Sequence, residues 1–112
     1  MKEIFDRVKA HLLKQGERAS RQNGHGCYYH TPEGLKCAVG CLITGEAYSG
    51  ALEGDVVENA LVRAALEASG IDDEPDTIDM LCRLQSIHDD WAPNRWEHAL
   101  DNLEADLFGD AE

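Results

Sequence analysis

Five residues between positions 25 and 41 carry side chains suited to chemistry: His25, Cys27, His30, Cys37 and Cys41. Zinc takes four Cys or His ligands in a tetrahedron, and a hairpin through this segment would bring Cys27 and Cys37 to one face. The spacing Cys-x9-Cys-x3-Cys lacks the Cys-x2-Cys knuckle that makes zinc signatures specific, so these residues are weak metal candidates. The same thiols fit small, reduced core residues, because Cys is among the most buried types and Ala38, Val39 and Leu42 beside them are apolar. A disulfide suits a cytosolic chain poorly. Cys27 lies between two histidines, as a nucleophile with a nearby base would, but nothing supplies an orienting carboxylate or an oxyanion hole. The expectation is no bound metal, no cofactor and no catalytic residue.

His88 falls at the centre of an apolar helical arc, with Gln85 nearby. A buried imidazole must hydrogen-bond. It is either a core histidine satisfied by Gln85 or a hairpin carbonyl, or part of a polar cluster with Gln85 and a thiol.

Glu97, Asp101 and Glu104 stand at i, i+4 and i+7, and Asp89 and Asp90 end the preceding helix. Each step of such a row rises about 4.5–6 Å along a helix, comparable in scale to phosphates along a nucleic-acid strand. These five acids are the candidate partner-binding residues; the plainer reading is a solvated face. Gly24-His25-Gly26 is not a phosphate loop, having neither a following helix nor a Lys-Ser/Thr.

Charge separates the two halves of the chain. Of a net −12 over 112 residues, positions 1–71 contribute −1 and positions 72–112 contribute −11. A phosphate-backbone ligand or an anionic membrane surface needs a basic footprint, so direct nucleic-acid and membrane binding are disfavoured. A protein partner with a basic surface is allowed. The first 21 residues hold six bases and three acids, which suits a helix docked beside the acidic half. The length fits one domain, 1–112, and 43% hydrophobic with 29% charged residues is an ordinary globular balance. Apolar runs reach four residues at most, too short for a membrane span, and the opening Met-Lys-Glu-Ile-Phe is amphipathic rather than a leader. A cytoplasmic protein is expected.

The elements that must position these residues follow from periodicity. Ile4, Phe5, Val8 and Leu12 predict a helix over 2–15 closed by Gly16. Residues 27–39 predict a β-hairpin turning at Pro32 and Gly34, with Thr31 opposite Leu35, Tyr29 opposite Cys37 and Cys27 opposite Val39. That register puts Cys27, Tyr29, Leu35, Cys37 and Val39 inward, and Tyr28, His30, Lys36 and Ala38 outward. A second helix starts from an Asp55 cap with Glu58, its inner stripe being Val57, Leu61, Ala64 and Ala68. A third, capped by Asp76, buries Ile78, Leu81, Leu84, Ile87 and Trp91; a fourth, capped by Asn94 with Glu97, buries Trp96, Leu100, Leu103 and Leu107. The expected fold is α+β, four helices plus one hairpin.

Gly34-Leu-Lys-Cys-Ala-Val-Gly-Cys-Leu-Ile43, Glu46-Ala-Tyr48, Leu84-Gln-Ser-Ile-His-Asp89 and Trp96 resemble a group of small uncharacterised proteins of tailed bacteriophages and bacterial chromosomes. The likeness runs from about Val8 to Leu103 and departs at Thr44-Gly45, where a Pro-Asp turn belongs. It brings no activity and assigns no residue a role. It implies a phage or prophage setting, where small acidic proteins work by occupying host proteins. The leading expectation is thus an interaction protein that binds and inhibits a basic or nucleic-acid-handling host protein, with nucleic-acid mimicry as one way of doing so. Its alternatives are a non-inhibitory regulatory or structural phage protein, and a zinc- or thiol-dependent enzyme.

Overall fold

Helical spacing of Phe5, Val8 and Leu12 produces helix α1, Lys2–Gln15, with all three side chains fully buried. Gly16 closes it at φ +69°, its N–H donating to the Leu12 carbonyl at 2.9 Å, a left-handed turn that suits glycine. The structure, a computed structural model, describes residues 2–19, 28–31, 34–53, 57–72 and 74–109.

Helix α2 is Ala60–Ala68, α3 is Pro75–Asp90 and α4 is Trp96–Phe108. Pro75 occupies the first position of α3, where a missing N–H costs nothing. The expected Asp76 cap sits one residue inside the helix, and Asp72 accepts the Glu74 N–H instead at 3.1 Å. Helix α4 likewise lacks a side-chain cap. Asn94 lies in a 3-10 turn, Pro93–Arg95, that leads directly into Trp96.

Helices α1, α3 and α4 pack on one another pairwise around Phe5, Val8, Leu12, Met80, Leu81, Leu84, Trp96 and Leu100. Phe5 and Phe108 meet edge to face, 5.6 Å between ring centres. Among the described residues no helix is long and apolar enough to cross a membrane.

Two expectations are overturned. Helix α2 is capped by Asn59, whose Oδ1 accepts the Leu61 N–H at 2.8 Å. It buries Val62, Ala65 and Leu66, while of the expected stripe only Val57, ahead of the helix, is buried: Leu61 is 54% exposed and Ala64 and Ala68 face solvent. Both stripes are apolar, and the one with the larger aliphatic pair took the core. The expected cap Asp55 lies outside the described residues.

The α+β class does not hold. Among the described residues there is no strand and no sheet, only an isolated antiparallel bridge between His30 and Lys36. The bridge keeps the expected register: Thr31 N–H donates to Leu35 O at 2.8 Å and Cys37 N–H to Tyr29 O at 3.3 Å. A ladder would continue with the Tyr29 N–H bonding Cys37 O. Instead the Glu53 carboxylate takes the Tyr29 N–H, and Cys37 O accepts from Cys41 as the chain coils into a 3-10 turn, Gly40–Leu42. Gly40 is required there, since a Cβ would run into the Tyr29 carbonyl. Ala38, expected outward, is fully buried in this corner. The fold is a small helical domain.

Candidate functional site

The five candidate acids meet three different fates. Asp101 and Glu104 turn toward α1, where Lys9 Nζ lies 2.8 Å from each carboxylate. Lys2 Nζ reaches Glu104 at 3.0 Å and Asp6 at 2.9 Å. Hydrogen bonds from Lys9 and then Lys2 draw Glu104 below the usual carboxylate range, and bonds to Asp101 and Glu104 push the Lys9 ammonium up. The basic excess of α1 is thereby matched by α4. Asp89 is engaged within its own helix: it accepts from Gln85 Nε2 at 2.9 Å and lies 2.7 Å from His88 Nδ1. Asp90 and Glu97 are exposed and make no ion pair among the described residues. The structure therefore gathers Asp101 with Glu104, sets Asp89 apart, and leaves Asp90 and Glu97 to solvent.

His88 is fully buried and fully satisfied. The Ala19 N–H donates to its Nε2 at 3.1 Å, so Nε2 carries no proton and Nδ1–H donates to Asp89. Its ring stacks on Trp96 at 5.4 Å between centres, and the Trp96 indole N–H donates to Trp91 O at 3.0 Å. Arg18 clamps the end of α3 by donating to His88 O at 3.1 Å and Trp91 O at 2.8 Å. The partners are Asp89 and a backbone amide rather than Gln85 or a hairpin carbonyl. Gln85 instead accepts the Val39 N–H at 3.1 Å and ties the 40–42 corner to α3. This cluster fastens the segment after α1 to the ends of α3 and α4.

The thiols are held as core groups. Cys37 is buried and accepts the Gly40 N–H at 3.2 Å, and burial pushes its thiol well up, away from the reactive thiolate. Cys41 is partly buried, donates to Ala38 O at 3.1 Å, and is pushed up to about 12 by the same cause. His30 donates Nε2–H to Gly40 O at 2.8 Å. Cys37, Cys41 and Cys82 are unbridged, and no three His, Cys, Asp or Glu converge among the described residues. His25 and Cys27, the other members of the expected zinc set, lie outside the described residues.

Glu53 organises a cluster that no spacing in the sequence announced. Its carboxylate accepts the Tyr29 and His30 N–H groups at 2.9 and 3.2 Å and the Tyr48 hydroxyl at 2.6 Å. Burial, then the bond to Glu53, pushes Tyr48 up to about 12, and the His30 ring stacks on Tyr48 at 4.3 Å. A carboxylate 24 residues away gives no local signal. No protein-family profile, no curated protein and no solved structure matches the chain.

Proposed function

We propose that the protein is a small acidic binding module that engages a basic surface on a partner protein. The observation that carries this reading is the incomplete neutralisation of the C-terminal half. Eleven net negative charges lie in residues 72–112, and among the described residues α1 answers only those of Asp101 and Glu104. Asp76, Asp90 and Glu97 are exposed and make no ion pair among the described residues. Such charges repel one another in the folded state, so stability alone gives no reason for them. Complementary charge speeds encounter with a basic partner and weakens as salt shortens the screening length, about 10 Å at 0.1 M. The likeness over Lys36–Ile43 supports a phage or prophage setting in the bacterial cytoplasm. In that setting the module inhibits a nucleic-acid-handling host protein, its carboxylates standing in for phosphates. Capture from bacterial lysate at low and high salt tests the reading. Basic proteins retained at low salt, released at high salt and lost with the Asp90→Asn/Glu97→Gln variant are expected. Retention that is indifferent to salt and to that variant would refute it.

A further inference from the structure

Along α3, Pro75, Ile78, Asp79 and Cys82 recur at i, i+3, i+4 and i+7 and wall an open groove of about 380 Å³ that Glu58 and Arg63 complete from the α2 side. Its apolar lining is Pro75, Ile78 and Cys82, and its acids are Glu58 and Asp79. Asp79 meets Arg83 at 3.5 Å but stays 66% exposed. Glu74 and Asp76, exposed at the start of α3, add to the negative side. Leu61, the most exposed large hydrophobic residue among those described, follows Glu58 by three positions.

Resting on the reading above, we propose that this groove docks a peptide segment of the basic partner, one carrying an aliphatic or aromatic side chain flanked by Lys or Arg. Charge complementarity selects this occupant. A second copy of the chain would bring −12 to an acidic rim. A free small molecule needs a pocket that encloses most of its surface, and this groove is open. An apolar side chain over Pro75, Cys82 and the exposed edge of Ile78, with cations beside Glu58 and Asp79, satisfies the apolar and acidic parts of the lining. That lining also holds Arg63, and the exposed Glu74 and Asp76 leave the acids in excess. Burial, then Glu58, pushes the Cys82 thiol up to about 11, so it lines the groove as a neutral, weakly polar group.

Selection of a random linear peptide library on the full chain tests the assignment, with each enriched peptide then synthesised as a probe. N-ethylmaleimide alkylation of Cys82, followed by mass mapping that separates it from the other cysteines, reports occupancy. Enriched peptides should pair an apolar residue with Lys or Arg, and should slow Cys82 alkylation. They should weaken by about tenfold or more on the Glu58→Lys/Asp79→Lys variant, whose melting temperature stays unchanged. Peptides that leave both Cys82 and that variant indifferent overturn the groove. If they are basic and are lost with Asp90→Asn/Glu97→Gln, the proposed function survives without the groove. If no peptide is enriched, or those enriched lack basic residues, both fall. Protection of Cys82 that rises with protein concentration alone would make a second copy the occupant and overturn the assignment.

Discussion

Where α4 meets α1, Asp101 and Glu104 close onto Lys9 and Lys2. Around the α2–α3 groove, Glu58 and Asp79 face an apolar trough instead, with Arg63 among its lining. The two regions differ little in how many acids they hold, yet one set holds two helices together, whereas among the described residues Asp79 pairs within its own helix, with Arg83, and Glu58 is exposed without an ion pair. The number of acids in a stretch of sequence therefore does not locate a binding surface. What decides is whether a cation from another element has been folded against them.

Helix α3 packs on α1 and α4 and also walls the groove, and breaking it gives the largest expected effect. Leu81→Ala removes a fully buried side chain and should cost about 2–5 kcal/mol by urea denaturation. Against a total stability of about 5–15 kcal/mol the loss would be plain. An unchanged midpoint would show that α3 is not central.

The clamp at the far end of α3 comes next. His88→Ala leaves the buried Ala19 N–H without its acceptor, which alone costs about 1–3 kcal/mol, beyond the lost stacking on Trp96. Hydrogen exchange at Ala19 should accelerate more than at residues 60–68. Equal acceleration throughout would mean that the histidine does not fasten this corner.

The paired acids sharpen the contrast through pH. Glu104 titrates lower in the folded state than in the unfolded chain, so its contribution is complete above the ordinary carboxylate value near 4.5. It is lost as pH falls from there through the lowered value. Glu104→Gln should flatten the stability–pH curve in that acid window. Identical curves for Glu104→Gln and the parent protein would remove the distinction between paired and open acids.

Much of the helical frame was legible. The boundaries of α1 and most of the inner stripes of α3 and α4 follow from periodicity, because each has a single apolar face; Trp91, which lies just past α3, and Leu107 were expected in those stripes and are only half-buried. Helix α2 has two, and a wheel cannot choose between Leu61-Ala64-Ala68 and Val62-Ala65-Leu66 without the neighbour that covers one of them. The pairing register around His30 and Lys36 was legible too, but its extent was not. The bridge ends because Glu53 captures the Tyr29 amide and Cys41 captures Cys37 O, neither a property of the two expected strands. Burial of His88 followed from its place on the wheel, whereas its partner at Ala19 lies 69 residues away. The row of Glu97, Asp101 and Glu104 was visible at helical spacing, and its division into open and paired members depended on the docking of α1.

The smallest structural effect belongs to the groove. Glu58→Lys and Asp79→Lys replace exposed groups and should leave thermal unfolding unchanged while altering what the chain binds. A lowered melting temperature would mean that these acids serve the fold after all.

The central claim, that open acids rather than paired ones meet the partner, is tested most directly by association kinetics across a salt series. A captured partner is measured against two charge-matched variants, Asp90→Asn/Glu97→Gln and Asp101→Asn/Glu104→Gln. Both remove two negative charges, so any difference reports position rather than total charge. The account predicts slower association and a flatter salt dependence for the first pair, and near-parent kinetics for the second. Equal slowing by both, or slowing by the second pair alone, would contradict it.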